Sequence, residues 1–163
     1  MTAPRLRRRL ASLLYEALVI IALVLVVVAL FSLVGMAAPV IGARRPVLLA
    51  LMFVALGGYF TYCWRNGQTL AMRAWKIRIV EANGAPVGLG RACLRYVLAW
   101  AWVAPPLALL AAYAPHAPSF SAALGIDAAA LLAWIALWAF ACLLRADHQF
   151  WHDVASGTRL VDA

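Results

Sequence analysis

The sequence predicts an all-α membrane protein, a bundle of four transmembrane helices with a small cytoplasmic cap. Of the 163 residues, 67% are hydrophobic and 12% are charged, whereas a soluble domain has roughly 25% charged residues. The apolar residues form long runs, so lipid is the expected solvent for most of the chain. The basic residues cluster between these runs, and the length suits one domain that covers residues 1–163.

Four apolar segments are candidates for membrane-spanning helices, each of which needs about 20 mostly apolar residues. The first contains an apolar run from Ala17 to Val34, which is longer than a typical signal-peptide core, so we expect a retained helix. In the third, Pro105 and Pro106 predict a kink near the outer end. The central loop covers 65–91 and the tail covers 145–163. The four helices are predicted over about 10–34, 47–64, 92–113 and 126–144.

The distribution of basic residues predicts the orientation. Of the 14 Lys and Arg residues, twelve lie in the N-terminal segment, in the central loop with the start of the third helix, and in the tail. The other two, Arg44 and Arg45, lie in the first loop. Because basic residues concentrate on the cytoplasmic side, we expect an inner (plasma) membrane protein with both termini in the cytoplasm. The net charge of +8 therefore indicates topology and an affinity for anionic lipid, and we expect no nucleic-acid partner.

The central loop and the tail each contain one short strand pattern. Residues 76–80 alternate polar and apolar side chains, and Asn83-Gly84 follows as a turn signal. Residues 158–161 form a second candidate strand. Because a lone strand leaves its backbone groups unpaired, we expect Ile77–Val80 to pair with Arg159–Val161 in a two-stranded sheet.

Glu16 is the most informative polar residue, because it lies inside the first apolar helix. An ionised carboxylate that faces lipid is costly, so Glu16 should face other helices, water or a basic partner. Arg9 lies two helical turns earlier on the same face. Arg95, at the start of the third helix, is the best available partner. Two hypotheses stay open: Glu16 is a protonatable cation ligand, or it is half of a structural ion pair.

The tail offers a second polar group. We expect His152 and Asp153 to anchor the tail by hydrogen bonds to the arginines of the central loop. His148 and His152 are spaced i, i+4, but two histidines without a glutamate between them are a weak metal signal, so we predict no metal site. The sequence also lacks the nucleophile-elbow, zinc-protease and phosphate-loop motifs. We therefore expect neither an enzyme nor a cofactor.

The order of these motifs resembles the RDD family of small membrane proteins over nearly the whole chain. That family opens with an arginine and an aspartate seven residues apart, and this chain has Arg9 and Glu16 at those positions. A Gly-x-Thr turn after the second helix, an arginine in the next helix and a closing His-Asp motif also match. These further matching positions are Gly67, Thr69, Arg95, His152 and Asp153; the second glycine and the lysine of the turn are replaced by Ala71 and Met72, and Arg73 restores a charge one place on.

The resemblance implies a membrane bundle and gives a first hypothesis for its function. Some family members are linked to sodium–proton antiport, which implies cation–proton exchange with Glu16 as the protonatable ligand. Four helices leave little room for a transport path in one subunit, so we expect a homo-oligomer. The alternative is a membrane scaffold or assembly factor that transports nothing. In that case the Arg, Glu, His and Asp residues are structural, and the basic face binds anionic lipid or a partner.

Overall fold

The computed structural model describes residues 4–37, 44–113, 116, 118–144 and 149–163. Four long helices account for most of these residues, and two one-turn helices and two short strands account for most of the rest. In chain order the elements are α1 (Leu6–Ala37), α2 (Arg44–Arg65), α3 (Leu70–Ala74), β1 (Ile77–Glu81), α4 (Leu89–Tyr113), α5 (Phe120–Leu143), α6 (Trp151–Ala155) and β2 (Thr158–Asp162).

The long helices lie where the apolar runs predict them, with shifted ends. The predicted start of the fourth helix at 126 is wrong, because α5 begins at Phe120. Ser119 is its N-cap, and the Ser119 hydroxyl accepts a hydrogen bond of 3.1 Å from the backbone N–H of Ala122. Helix α1 begins four residues before the predicted start, at Leu6, since arginine is a good helix former.

The number of membrane spans is only partly established by the described residues. Two stretches, Leu6–Gly35 and Arg44–Ala74, are long and apolar enough to cross a membrane. Helix α4 makes a third if its two bent halves form one span. In α5, the apolar stretch found among the described residues is Ala128–Leu143, which counts as a shorter apolar helix and not as a span. Two or three spans are therefore supported by length and composition, and the predicted number of four is not confirmed.

The kink predicted from the two prolines is confirmed. Helix α4 bends by 43° between Leu89–Ala101 and Ala104–Tyr113, just before Pro105 and Pro106. A proline within a helix has no N–H to donate, and its ring clashes with the carbonyl four residues earlier. The bend relieves this clash and lies near the middle of α4, beyond the residues Ala92 and Tyr96 that pack in the core.

The two-stranded sheet is also confirmed. Strands β1 and β2 pair antiparallel, with Ile79 opposite Leu160 and Ile77 opposite Asp162. Ile77 and Ile79 are each 1% exposed, so one face of β1 is buried. The sheet joins the segment after α2 to the segment after α5, which lie about eighty residues apart in the sequence.

The best-packed part of the molecule lies where the sheet meets α2 and α4. We call α3, β1, α6 and β2 together the cap. By contrast, none of the most apolar 18-residue window of α1 is buried within the chain, as expected for a helix surrounded by lipid. The core where the cap meets α2 and α4 consists of Trp64, Ile77, Ile79, Val87, Ala92, Tyr96 and Leu160.

Candidate functional site

The Glu16 carboxylate lies where α1, α2 and the start of α3 meet. The Tyr59 hydroxyl donates a hydrogen bond of 2.8 Å to Oε1 of Glu16. The Thr69 hydroxyl donates a second, short hydrogen bond to Oε2. Both carboxylate oxygens are therefore held by neutral hydroxyl donors, and the Glu16 side chain is half-buried. We call Glu16, Tyr59 and Thr69 the carboxylate site.

Thr69 connects the carboxylate site to the start of α3. It is the N-cap of that helix, and its hydroxyl accepts a hydrogen bond of 3.1 Å from the backbone N–H of Met72. Thr69 is 1% exposed, so its hydroxyl depends on protein partners. One buried hydroxyl therefore begins α3 and also holds the carboxylate of α1.

The predicted partnership of Glu16 with Arg95 is wrong. Nη2 of Arg95 donates instead to Oδ1 of Asp153, in the tail. Helix α1 packs against α2 and α3, whereas α4 packs against α2, α5 and α6, so the two side chains face different elements. Within the described part of the chain, no basic group lies within 4.0 Å of the Glu16 carboxylate.

Arg95 and Asp153 form a buried ion pair that joins α4 to α6. Their side chains are 5% and 0% exposed. The Arg95 guanidinium also lies over the ring of Trp64, 4.4 Å from its centroid, in a cation–π contact. Nε2 of His152 lies 3.3 Å from Oδ1 of Asp153. The structure thus brings three predicted site residues together in one cluster, separate from the carboxylate site.

The turn between α6 and β2 holds the backbone around Asp153. The Ser156 hydroxyl lies 2.9 Å from the Asp153 carbonyl oxygen, and the Thr158 hydroxyl donates to that oxygen at 3.2 Å. Gly157 has φ +67°, and a Cβ there would lie 2.7 Å from Nη1 of Arg91. The Gly-Thr start of β2 therefore has a local function, which is to fix the backbone that presents Asp153 to Arg95.

His152 makes the stability of the protein dependent on pH. Burial lowers the pKa of His152 to about 4 from 6.5; the Asp153 carboxylate opposes this shift, and the Arg95 charge adds to it. Unfolding restores the ordinary pKa, so the unfolded chain binds more protons between those two values. Stability is therefore expected to fall as the pH drops from about 6.5 to about 4, by about 3 kcal/mol in total.

Denaturant unfolding in detergent at a series of pH values measures this dependence. Other carboxylates also titrate in acid, so the quantity to compare is the difference between wild type and His152→Gln. Glutamine does not titrate, and the difference in unfolding free energy should therefore shrink as the pH falls from 6.5 to 4. A difference that stays constant with pH would mean that His152 is not a neutral buried group.

Arg9 contacts other elements than Glu16 does. Its Nε donates a hydrogen bond of 2.9 Å to the carbonyl oxygen of Pro4, and its Nη1 lies 3.6 Å from Sγ of Cys142 in α5. The guanidinium also lies over the ring of Phe150, 5.6 Å from the centroid. Arg9 is 5% exposed and joins the start of α1 to α5 and the tail. The helix face shared by Arg9 and Glu16 thus does not create one shared site.

Arg8 is an important contact that the sequence did not indicate. Its Nη2 donates to the carbonyls of Trp75 and Lys76, at 2.5 and 2.7 Å. Its Nη1 forms an ion pair of 2.5 Å with Asp162. Arg8 therefore fastens the start of α1 to the turn after α3 and to the end of β2. The run of arginines predicts only topology, which accounts for the charge but not for its partners.

Gly67 forms the turn that leads from α2 to α3. It has φ +84°, and a Cβ there would lie 2.9 Å from Nε of Arg78. Its carbonyl accepts a hydrogen bond of 2.8 Å from the N–H of Ile79, which attaches β1 to the turn. The family-like loop motif thus divides into a turn at Gly67, a cap at Thr69 and an exposed cation at Arg73.

Gly67→Ala is expected to lower the free energy of unfolding by about 1–2 kcal/mol. The left-handed conformation costs an L-residue about that much, and the added Cβ also displaces Arg78. Gly90→Ala is the matched control, because Gly90 lies in α4 and a Cβ there would meet nothing within 4 Å. Denaturant unfolding in detergent should show no loss for Gly90→Ala. Equal effects of the two substitutions would contradict the role assigned to the Gly67 turn.

Of the two histidines that give the weak metal signal, only His152 lies in the described part of the chain. Among the described residues there is no group of three His, Cys, Asp or Glu side chains that could hold a metal ion. His148 lies outside the described residues, so its spacing to His152 is not tested by the structure.

Comparison with known proteins identifies a family. The model of the RDD family matches residues 3–157, which is nearly the whole chain. No curated protein and no solved structure shows significant similarity to the chain. The matched range contains the positions from Arg9 to Asp153 that carried the resemblance, and it ends just before the strand at 158–161. It defines a class of membrane protein and not a molecular function.

Proposed function

The chain belongs to the RDD family, and from the geometry around Glu16 we propose that it exchanges a cation for protons across the membrane. In this proposal Glu16 is the residue that binds either the cation or the proton. The observation that supports it is the environment of the carboxylate. Two neutral hydroxyls hold it, and no basic side chain among the described residues lies within 4.0 Å of it.

The absence of a basic partner matters for the chemistry. An arginine beside the carboxylate would favour its ionised form and would occupy the place of a cation. A hydroxyl can both donate and accept a hydrogen bond, so Tyr59 or Thr69 can also accept a hydrogen bond from the O–H of a protonated Glu16. Carboxylate and hydroxyl oxygens are hard ligands of the kind that alkali and alkaline-earth cations prefer. Proton and cation therefore compete for one carboxylate, which is the basis of exchange.

We propose four membrane spans with both termini in the cytoplasm, and α5 as the fourth span. The contacts of the cap support an even number of crossings. Strand β1 follows α2 and pairs with β2, which follows α5. The two strands therefore lie on one side of the membrane, so either both α4 and α5 cross it or neither does. Arg8, at the start of α1, binds the turn before β1, which follows α2. For the same reason, either both α1 and α2 cross the membrane or neither does. Helix α5 has 24 residues, enough to span a bilayer.

We also propose that the transporting form is a homo-oligomer. The described part of one subunit contains four long helices, which leave little room for a path with alternating access. The apolar window of α1 has none of its residues buried within the chain, so it is available to lipid or to a second copy. Cross-linking in native membranes tests the proposed homo-oligomer independently of transport. Recovery of the monomer alone would contradict it.

The direct test of the proposed function uses purified protein in liposomes. A sodium or lithium gradient imposed across proteoliposomes is expected to drive proton movement, which a pH-sensitive dye reports. Empty liposomes with the same gradient give the background. Proton movement no faster than this background, with either cation, would contradict the proposal.

The alternative is a scaffold or assembly factor without transport or enzymatic activity. The buried Arg95–Asp153 pair and the Arg8 contacts favour it, because they hold the cap rigidly against the long helices. In that case the exposed cations of the cap would bind a partner or anionic lipid. Normal folding without any cation-dependent proton movement is the result that would favour this alternative.

A further inference from the structure

A groove runs between α1 and α3, next to the carboxylate site but on the outer surface of the bundle. Its volume is about 400 Å³, within the range of about 300–1,000 Å³ that small-molecule sites occupy. The walls are mostly apolar, and one side chain at the edge is charged. The lining residues are Tyr15, Val19, Leu70, Ala71, Arg73 and Ala74.

The position of the groove matches the boundary between lipid and cap. Val19 belongs to the apolar run of α1, whereas Arg73 belongs to the short helix of the cap. Tyr15 packs edge-on against Trp75, with ring centroids 5.7 Å apart, and such aromatic residues are enriched at membrane boundaries. Leu70 is 64% exposed, which is unfavourable in water and favourable against an acyl chain.

Arg73 supplies the charge of the groove. Its side chain is exposed, and its guanidinium makes no hydrogen bond or ion pair within the described ranges of the chain. This distinguishes it from Arg8, Arg9 and Arg95, which are each bound to other parts of the protein. A guanidinium presents a planar set of donors that matches a phosphate group. Arg73 is therefore available for an external anion.

We propose that this α1–α3 groove binds an anionic phospholipid. The lipid phosphate lies at the Arg73 guanidinium, and the first part of an acyl chain lies along Val19 and Leu70. An apolar wall with one guanidinium at the lipid boundary complements a ligand that has both an apolar chain and a negative headgroup. A zwitterionic lipid has a compensating positive charge and is bound less well. The proposal does not depend on ion transport at Glu16.

The test uses the full-length protein in a neutral detergent, with phosphatidylglycerol, phosphatidylcholine or inorganic phosphate added. Native mass spectrometry counts bound lipid, and thermal unfolding reports stabilisation. Phosphatidylglycerol is expected to bind about fivefold more tightly than phosphatidylcholine, as one basic residue near a membrane surface contributes about that factor. Equal binding of the two lipids would overturn the proposal. Stabilisation by inorganic phosphate equal to that by phosphatidylglycerol would overturn it too, because the ligand would then be a free anion.

Three variants locate the site. Arg73→Gln is expected to remove the fivefold preference, and Ala74→Phe is expected to weaken both lipids by filling the groove. Arg65→Gln is the matched control, because Arg65 is an exposed arginine at the end of α2 that does not line this groove. Loss of preference in Arg65→Gln equal to that in Arg73→Gln would indicate attraction to a generally basic face. That result would overturn the groove site, as would unchanged lipid binding in Ala74→Phe.

Discussion

Replacing Arg95 with glutamine is expected to lower the free energy of unfolding by about 3–5 kcal/mol, because it leaves a buried charge without its partner. The Asp153 side chain is 0% exposed, so water cannot replace the lost guanidinium. The substitution also removes the cation–π contact with Trp64. Denaturant unfolding of the purified protein in detergent, followed by tryptophan fluorescence, measures the loss.

Arg91→Gln is the matched control for this prediction. Arg91 also lies on α4, but its ion pair with Glu81 is 3.5 Å long and the Arg91 side chain is 46% exposed. Such a pair contributes about 0–1 kcal/mol. The double variant Arg95→Gln with Asp153→Asn should recover part of the stability, because it removes both charges. Equal costs for Arg95→Gln and Arg91→Gln would show that the Arg95 pair is not a buried structural contact.

Replacing Glu16 with glutamine is expected to reduce sodium- or lithium-dependent proton movement to the level of empty liposomes. Glutamine keeps an oxygen that can accept from the Tyr59 or Thr69 hydroxyl, so the helix junction should stay folded. It cannot bind and release a proton in the range of an exchange cycle, and it carries no charge for a cation. The pH-sensitive dye assay in proteoliposomes measures the effect.

Glu81→Gln controls for the loss of any carboxylate. Glu81 lies at the end of β1, where its carboxylate contacts Arg91 and the N–H of Gly88 and not the two hydroxyls that hold Glu16. Its removal should leave exchange at the wild-type rate. Normal exchange by folded Glu16→Gln protein would show that Glu16 is not the ligand. Failure of Glu16→Gln to accumulate in the membrane, with normal accumulation of Glu81→Gln, would favour the scaffold alternative.

The features predicted correctly from the sequence are those with a local or periodic signal. The strand patterns at 76–80 and 158–161 predicted the sheet, because alternation reports one buried face and a lone strand needs a partner. The apolar runs predicted the long helices, since their length against the bilayer is a local property. Pro105 predicted the bend in α4, because the effect of a proline on its own helix is also a local property.

The pairing of side chains between elements was not predictable in this way. Hydropathy shows that Glu16 and Arg95 lie near the same depth, but it does not specify which helices are neighbours. Tyr59 sits in an apolar run, and nothing local distinguishes its hydroxyl from that of a lipid-facing tyrosine. Arg8 lies in an arginine cluster whose topogenic role already explains its charge. These contacts depend on the order of the helices around the bundle.

The cap gives the topology argument a physical basis that charge counting lacks. Arg8 and the β1–β2 sheet hold together three segments of the chain: the start of α1, the segment between α2 and α4, and the segment after α5. These segments also contain most of the basic residues. Both observations favour one side of the membrane for all three segments, and the carboxylate site and the lipid groove lie beside them.

The most direct test of the central proposal is to observe the protonation of Glu16 as a cation binds. Infrared difference spectroscopy of the reconstituted protein, at acidic pH and with sodium exchanged for a large organic cation, detects the carbonyl stretch of a neutral carboxylic acid. The proposal predicts that this band disappears when sodium is added to the wild type. It also predicts no such change in Glu16→Gln and an unaltered change in Glu81→Gln. A band that is insensitive to sodium in the wild type, or that persists in Glu16→Gln, would contradict the assignment of Glu16 as the exchanging carboxylate.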